Sequence, residues 1–166
     1  ENKLTVISPD VGGGFGSKIY HCSEEALVLA AAKRIKRPVR WTASRSESFM
    51  TDAHGRDHVT KIELALDKDN NFLAFRTETM ANVGAYLSNF STVTPTILHG
   101  TLMAGNYSVP NVYVNVKTVF TNTAPVDAYR GAGRPEATYS LERVIDKAAT
   151  ELDIDPIALR RQNFIK

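Results

Sequence analysis

The residues best suited to chemistry are four glycines at positions 12, 13, 14 and 16, interrupted only by Phe15 and followed by Ser17 and Lys18. Glycine lets a backbone turn where a Cβ would forbid it, and successive main-chain N–H groups in such a loop can hold an anion, a phosphate or an oxo ligand. The phosphate forms fit poorly. A Walker A loop ends in Gly-Lys-Ser/Thr, whereas here Ser17 precedes Lys18 and Ile19 follows it. A dinucleotide loop begun at Gly12 needs glycine at position 17, and the next helix opens only near Ser23. Two readings fit better: a loop offering backbone donors to an anion or oxo group, with Phe15 as a wall, or a glycine turn that serves geometry alone. A second loop, residues 124–135, carries Gly131 and Gly133 beside Arg130 and Arg134 and is equally suited to backbone contacts.

Other chemically capable residues are less persuasive. His54 and His58 are four apart, but Gly55 and the strand pattern that follows argue against a helical metal pair. His21 and Cys22 are neighbours, so on a helix they point to different faces and make no nucleophile–base pair; Cys22 is assigned to packing. Lys33, Arg34, Lys36, Arg37, Arg40 and Arg45 concentrate positive charge around Trp41 alone, which suits a solvated helix end or a docking surface for another subunit better than nucleic acid.

The elements that must position the loops follow from periodicity. Residues 3–8 and 39–44 read as strands. Glu24 and Glu25 behind an N-cap at Ser23 open a helix through Lys36 that is apolar on nearly every side and so expected to be buried against the sheet. Residues 50–57 read as loop. Residues 58–67 alternate Ile62, Leu64 and Leu66 with Lys61, Glu63 and Asp67, and the turn chemistry of 67–71 returns the chain as a second strand over 72–81. A short helix is expected near 96–103 and a strand over 112–121. Leu141, Val144, Ile145, Ala148, Ala149 and Leu152 make one apolar helical stripe, and Asp155-Pro156 opens a terminal helix. Strands and helices mix without βαβ alternation, which predicts an α+β fold: a mixed or antiparallel sheet with packed helices.

A chain of 166 residues with 43% apolar and 23% charged residues is that of a folded domain, not of a disordered or fibrous chain. Twenty basic against eighteen acidic residues argue for no polyanionic partner. A single cysteine excludes an internal disulfide and a cysteine-based zinc site. The longest apolar run falls short of a membrane span, so no membrane span and a reducing, cytoplasmic compartment are expected. Glu1 stands where an initiator methionine would be, which suggests a piece of a longer chain.

Taken as an ordered pair, Gly12-Gly13-Gly14-Phe15-Gly16-Ser17-Lys18 and Ala128-Tyr129-Arg130-Gly131-Ala132-Gly133-Arg134-Pro135-Glu136 resemble the first molybdopterin-binding domain of the xanthine dehydrogenase/aldehyde oxidase family. Asn82-Val83-Gly84-Ala85-Tyr86 and Asn106-Tyr107-Ser108-Val109-Pro110-Asn111 between them strengthen the resemblance, which covers nearly all of residues 1–166 and is nearest to aerobic carbon monoxide dehydrogenase-like large subunits. It implies that Gly13, Gly14, Phe15, Gly16, Arg130, Gly131, Ala132 and Gly133 hold a molybdenum–molybdopterin cofactor, in its cytosine dinucleotide form, with Phe15 and Tyr129 lining the substrate pocket. It further implies hydroxylation of an electron-poor carbon of a small-molecule substrate, with electrons leaving through an iron–sulfur small subunit and an FAD medium subunit. The catalytic base of the family lies in a later domain of the large subunit, so no catalytic residue is expected here, and the isolated chain is expected to hold no cofactor. Ile19 and Ala132 stand where purine-oxidising members carry Glu and Phe, and Gly131 stands where copper-containing carbon monoxide dehydrogenases carry Cys. A nucleotide-phosphate module built on residues 12–16 and a non-catalytic interaction domain remain as alternatives.

Overall fold

The computed structural model describes residues 3–166. Its framework is a three-stranded sheet in the order β1-β2-β3, where β1 is His58–Leu66, β2 is Phe72–Asn82 and β3 is Asn111–Val119. The hairpin forms where the alternation predicts it, with His58 opposite Ala81 and Leu64 opposite Phe75. Its turn is fixed by the Asp67 carboxylate, which accepts from the N–H groups of Asp69 at 2.8 Å and Asn71 at 2.9 Å while Asn70 adopts φ 64°. β3 then joins β2 in parallel, Phe75 against Val112 and Ala81 against Thr118, so the sheet is mixed. The crossover between them contains a π-helical segment, Thr94–Leu98, near the expected short helix.

One face of this sheet is covered. Helix α3, Arg134–Leu152, leaves the second glycine loop directly and has Pro135 in its first turn, where a missing N–H costs nothing. Its stripe buries Leu141, Ile145 and Ala149 against Phe72, Phe75 and Tyr107. Helix α4, Pro156–Asn163, is capped by the Asp155 carboxylate, which accepts from Ile157 N at 3.2 Å and Ala158 N at 3.0 Å, and it seats Leu159 in the same core. Two further helices, named for their place in the chain, precede the sheet: α1, Ser23–Ile35, and α2, Arg45–Thr51. α2 takes up the first residues of the stretch expected to be loop.

The expectation that α1 packs into the core is overturned. None of its residues is buried, and Leu27 and Leu29 are 65% and 54% exposed. An apolar helix is covered only where another element lies against it, and no described strand or helix packs closely on α1. Its N-cap is Cys22, not Ser23; the Cys22 N–H donates to the Glu25 carboxylate at 3.3 Å, so the half-buried cysteine serves the helix end. Residues 3–8 and 39–44 are not strands either: no described segment offers either of them a ladder of hydrogen bonds.

Candidate functional site

The two glycine loops lie against each other. The Arg130 N–H donates to the Phe15 carbonyl at 2.6 Å, and the Arg130 guanidinium stacks over the Phe15 ring with 5.6 Å to its centroid. Gly16, at φ 92°, makes this approach possible, because a Cβ there would lie 2.5 Å from the Ala128 carbonyl oxygen and 3.0 Å from Tyr129 Cα. Along the first loop, the N–H groups of Gly13, Gly14 and Gly16 reach no backbone acceptor among the described residues; the one turn bond runs from Ile19 N to Gly16 O at 3.1 Å. Gly13 and Gly14 are exposed, as is the Phe15 ring. The result is a short array of free donors on an open surface, walled by one aromatic ring.

The second loop consists of two overlapping turns. Ala132 N donates to Tyr129 O at 3.0 Å and Arg134 N to Gly131 O at 3.1 Å, which leaves Gly131 N–H without a backbone acceptor among the described residues. Gly131, at φ 92°, is exposed, whereas Gly133 is buried: a Cβ at 133 would meet His99 N at 2.6 Å. The loop is braced from below by residues 54–56. His54 N donates to Pro125 O and Asp127 N to His54 O, both at 2.8 Å, and Gly55 sits so close to Tyr129 that a Cβ would lie 2.6 Å from Tyr129 Cβ. The Arg56 guanidinium lies 5.2 Å from the centroid of the Tyr129 ring, and its Nη2 donates to the Arg130 carbonyl. A cleft of about 500 Å³ opens beside this brace, lined by Ser17, Arg45, Phe49, His54 and Tyr129.

Beneath the loop lies a buried polar cluster. His99 is fully buried, its Nε2 3.3 Å from Thr79 Oγ1 and its ring edge-on to His58 with centroids 5.0 Å apart. Burial, then the neighbouring His58, pushes the His99 imidazole down to about 4. His58 is lowered too, chiefly by burial, with Glu136 and Asp57 opposing. Both rings are therefore neutral near pH 7. Among the described residues no group of three or more His, Cys, Asp or Glu side chains is placed to hold a metal ion.

Of the residues singled out from sequence, Phe15, Gly16, Tyr129 and Arg130 meet directly, Gly13, Gly14 and Gly131 flank that contact, and Ala132 is half-buried beside them. Tyr129, 43% exposed, faces the cleft and the Phe15 ring stands open to solvent. His54 and His58 are separated by roles, one in the brace and one under α3. The stretch 54–56, and Arg56 above all, was not legible as part of the site: a Gly-Arg pair ahead of a strand carries no mark of its destination. The helix that follows the first loop in the chain begins only at Ser23, so residues 12–16 do not lead directly into a helix N-terminus as a phosphate-binding loop does, which removes the main support for the nucleotide-phosphate alternative.

The sequence matches the family model described as "Molybdopterin cofactor-binding domain" over residues 1–164. It is 36% identical to the carbon monoxide dehydrogenase large chain of Hydrogenophaga pseudoflava, an alignment covering 100% of this chain and 21% of that one. It is 35% identical to the 6-hydroxypseudooxynicotine dehydrogenase complex subunit gamma of Paenarthrobacter nicotinovorans, over 94% of this chain and 20% of that one. Among solved structures, quinoline 2-oxidoreductase from Pseudomonas putida 86 superposes with a TM-score of 0.89 at 35% identity, over 95% of this chain and 20% of that one. The chain thus spans about one-fifth of the length of the relatives it matches.

Proposed function

The chain belongs to the molybdopterin cofactor-binding domain family, and from that premise we propose that it forms the first such domain of a molybdenum hydroxylase large subunit, with its two docked loops as one side of the cofactor site. The observation that carries the proposal is the row of exposed N–H groups at Gly13 and Gly14, which find no backbone acceptor among the described residues, held beside Arg130 by the bond from Arg130 N to Phe15 O. A ligand rich in oxygen and sulfur acceptors fits such a surface, because backbone donors fixed by other contacts need no reorganisation to receive it. Bound there, the molybdenum–molybdopterin group would supply the redox chemistry that oxidises or hydroxylates an electron-poor carbon.

The residues divide the work. Gly13, Gly14, Gly16 and Gly131 offer backbone donors; Gly133 lets the loop lie against Leu98 and His99; Arg130 holds the two loops together. Phe15 and Tyr129 wall the approach and exclude water from one side. Ala132 leaves room where a bulkier ring would stack, which favours a small or mid-sized aldehyde or N-heterocycle over a purine. Gly131 offers no thiolate for soft Cu(I), and Cys22 lies beyond the first glycine loop at the N-cap of α1, so molybdenum without copper is the expected metal content. The cytosine dinucleotide form of the cofactor, an iron–sulfur small subunit and an FAD medium subunit as partners, and a cytoplasmic location complete the reading. Among the described residues no helix is long and apolar enough to cross a membrane.

The test is metal and pterin analysis of the full-length protein purified with its partner chains from cells able to make the cofactor. Near-stoichiometric molybdenum and molybdopterin with no copper, and turnover of aldehydes or N-heterocycles but not carbon monoxide, are the expected results. A folded, complete protein free of molybdopterin would overturn the proposal, and stoichiometric copper would overturn the argument from Gly131.

A further inference from the structure

Arg56 holds an unusual backbone position, φ 60°, in the left-handed region that side-chain-bearing residues seldom occupy. From there its guanidinium reaches three residues of the second loop and of the helix that follows. Nη2 donates to the Arg130 carbonyl, the guanidinium carbon stands 5.2 Å above the Tyr129 ring, and Nε lies 4.0 Å from Glu136 Oε2 in the first turn of α3. The Glu136 side chain is only 8% exposed and its Oε2 accepts no hydrogen bond among the described residues, so Arg56 is the cation that faces a nearly buried carboxylate.

Peptide geometry gives these contacts a direction. The Arg130 carbonyl and the Gly131 N–H belong to one trans peptide and point opposite ways. Fixing the carbonyl toward Arg56 therefore aims the Gly131 N–H away from it, and that N–H has no backbone acceptor among the described residues. With φ 92° at Gly131, the peptide has no side chain of its own to set its orientation. We infer that Arg56 is a positioning residue for the cofactor site: it locks the Arg130–Gly131 peptide so that the Gly131 N–H faces the bound ligand. The inference rests on the cofactor-binding reading above and adds a residue outside both glycine loops. A lysine cannot substitute, because an ammonium matches the Glu136 charge but cannot both stack on Tyr129 and present a planar fork to the carbonyl.

The experiment compares wild type, Arg56→Lys and Arg56→Met in the full-length chain with its partner chains. Three quantities are read: the rate at which molybdopterin is lost on dilution, the melting temperature, and the amide exchange of the peptides spanning 129–133 in cofactor-free protein. Both variants should lose cofactor about tenfold faster or more, the loss expected from one charge-assisted hydrogen bond, and both should exchange faster at 129–133. Arg56→Lys should keep a melting temperature near wild type, because Glu136 stays matched, while Arg56→Met should not. Wild-type retention and exchange in Arg56→Lys would overturn the inference, as would losses of retention and melting temperature that track each other in both variants. If the wild type itself binds no molybdopterin, the cofactor reading fails, and the exchange at 129–133 still decides whether Arg56 locks the loop.

Discussion

Acid should unfold this protein through His99. The ring is fully buried, and burial, then the neighbouring His58, holds its protonation down to about 4 against an ordinary 6.5, with the Gly133 backbone opposing. The unfolded chain therefore takes up a proton below pH 6.5 that the folded chain refuses until about pH 4. Stability rises with pH wherever the unfolded state binds more protons, so this contribution is complete above about 6.5 and is lost progressively down to about 4. A difference of roughly 2.5 units corresponds to about 3 kcal/mol in full, and about 2.5 kcal/mol by pH 4.5, a large share of a domain's typical stability of about 5–15 kcal/mol. His58 is shifted the same way and adds to the loss. Urea unfolding at pH 7 and pH 4.5 would measure it, with His99→Gln as the comparison, since glutamine can keep a hydrogen bond to Thr79 but cannot titrate. The wild type should lose markedly more stability between the two pH values than His99→Gln. Equal losses in the two proteins would show that His99 does not stay neutral in the fold and would refute the reasoning.

Other substitutions test the site and the core. Gly16→Ala places a Cβ against the Ala128 carbonyl at a φ that alanine disfavours, and should cost about 2–4 kcal/mol and speed exchange of the Arg130 amide as the loops part. Arg160→Met removes the partner of Glu142 at 2.8 Å and of Asp146 at 2.7 Å; with the guanidinium 20% exposed, a loss of about 1–3 kcal/mol in urea unfolding is expected. The Tyr107 phenol, pushed up to about 12 by burial and by its bond to Glu142, should then titrate higher still in an ultraviolet titration, because Arg160 is the charge that restrains it. Asn163→Ala strips the Phe72 N–H of its buried acceptor at 2.8 Å and cuts the tie from Nδ2 to Asn70 O at 3.0 Å; about 2–4 kcal/mol should be lost, read as a lower melting temperature.

What was legible in the sequence is what local period decides. Ile62, Leu64 and Leu66 announce a half-buried strand because each meets the same face, and Leu141, Ile145 and Ala149 announce a helix for the same reason. The glycine loops were legible because few backbones need four such residues in five positions. Period says nothing about partners. Leu27 and Leu29 mark α1 as apolar without naming what lies against it, and the strand-like stretch at 3–8 is not a strand until another segment pairs with it. The parallel join of β3 to β2 and the reach of Arg56 to Arg130 likewise depend on a long crossover and a distant turn, which no window of neighbouring residues encodes.

The bond between Arg130 and Phe15 also dictates an order of events. Its two residues are 115 positions apart, so making it closes a loop of more than two-thirds of the chain, whereas the hairpin closes over the few residues of its turn. Loop closure favours short-range contacts and delays long-range ones. During synthesis the first glycine loop emerges while its counterpart is not yet made, and α3, which anchors the counterpart, comes later still. The receptive surface is therefore expected to form late in folding, after the hairpin, and a ligand that arrives before that moment would meet only half of it.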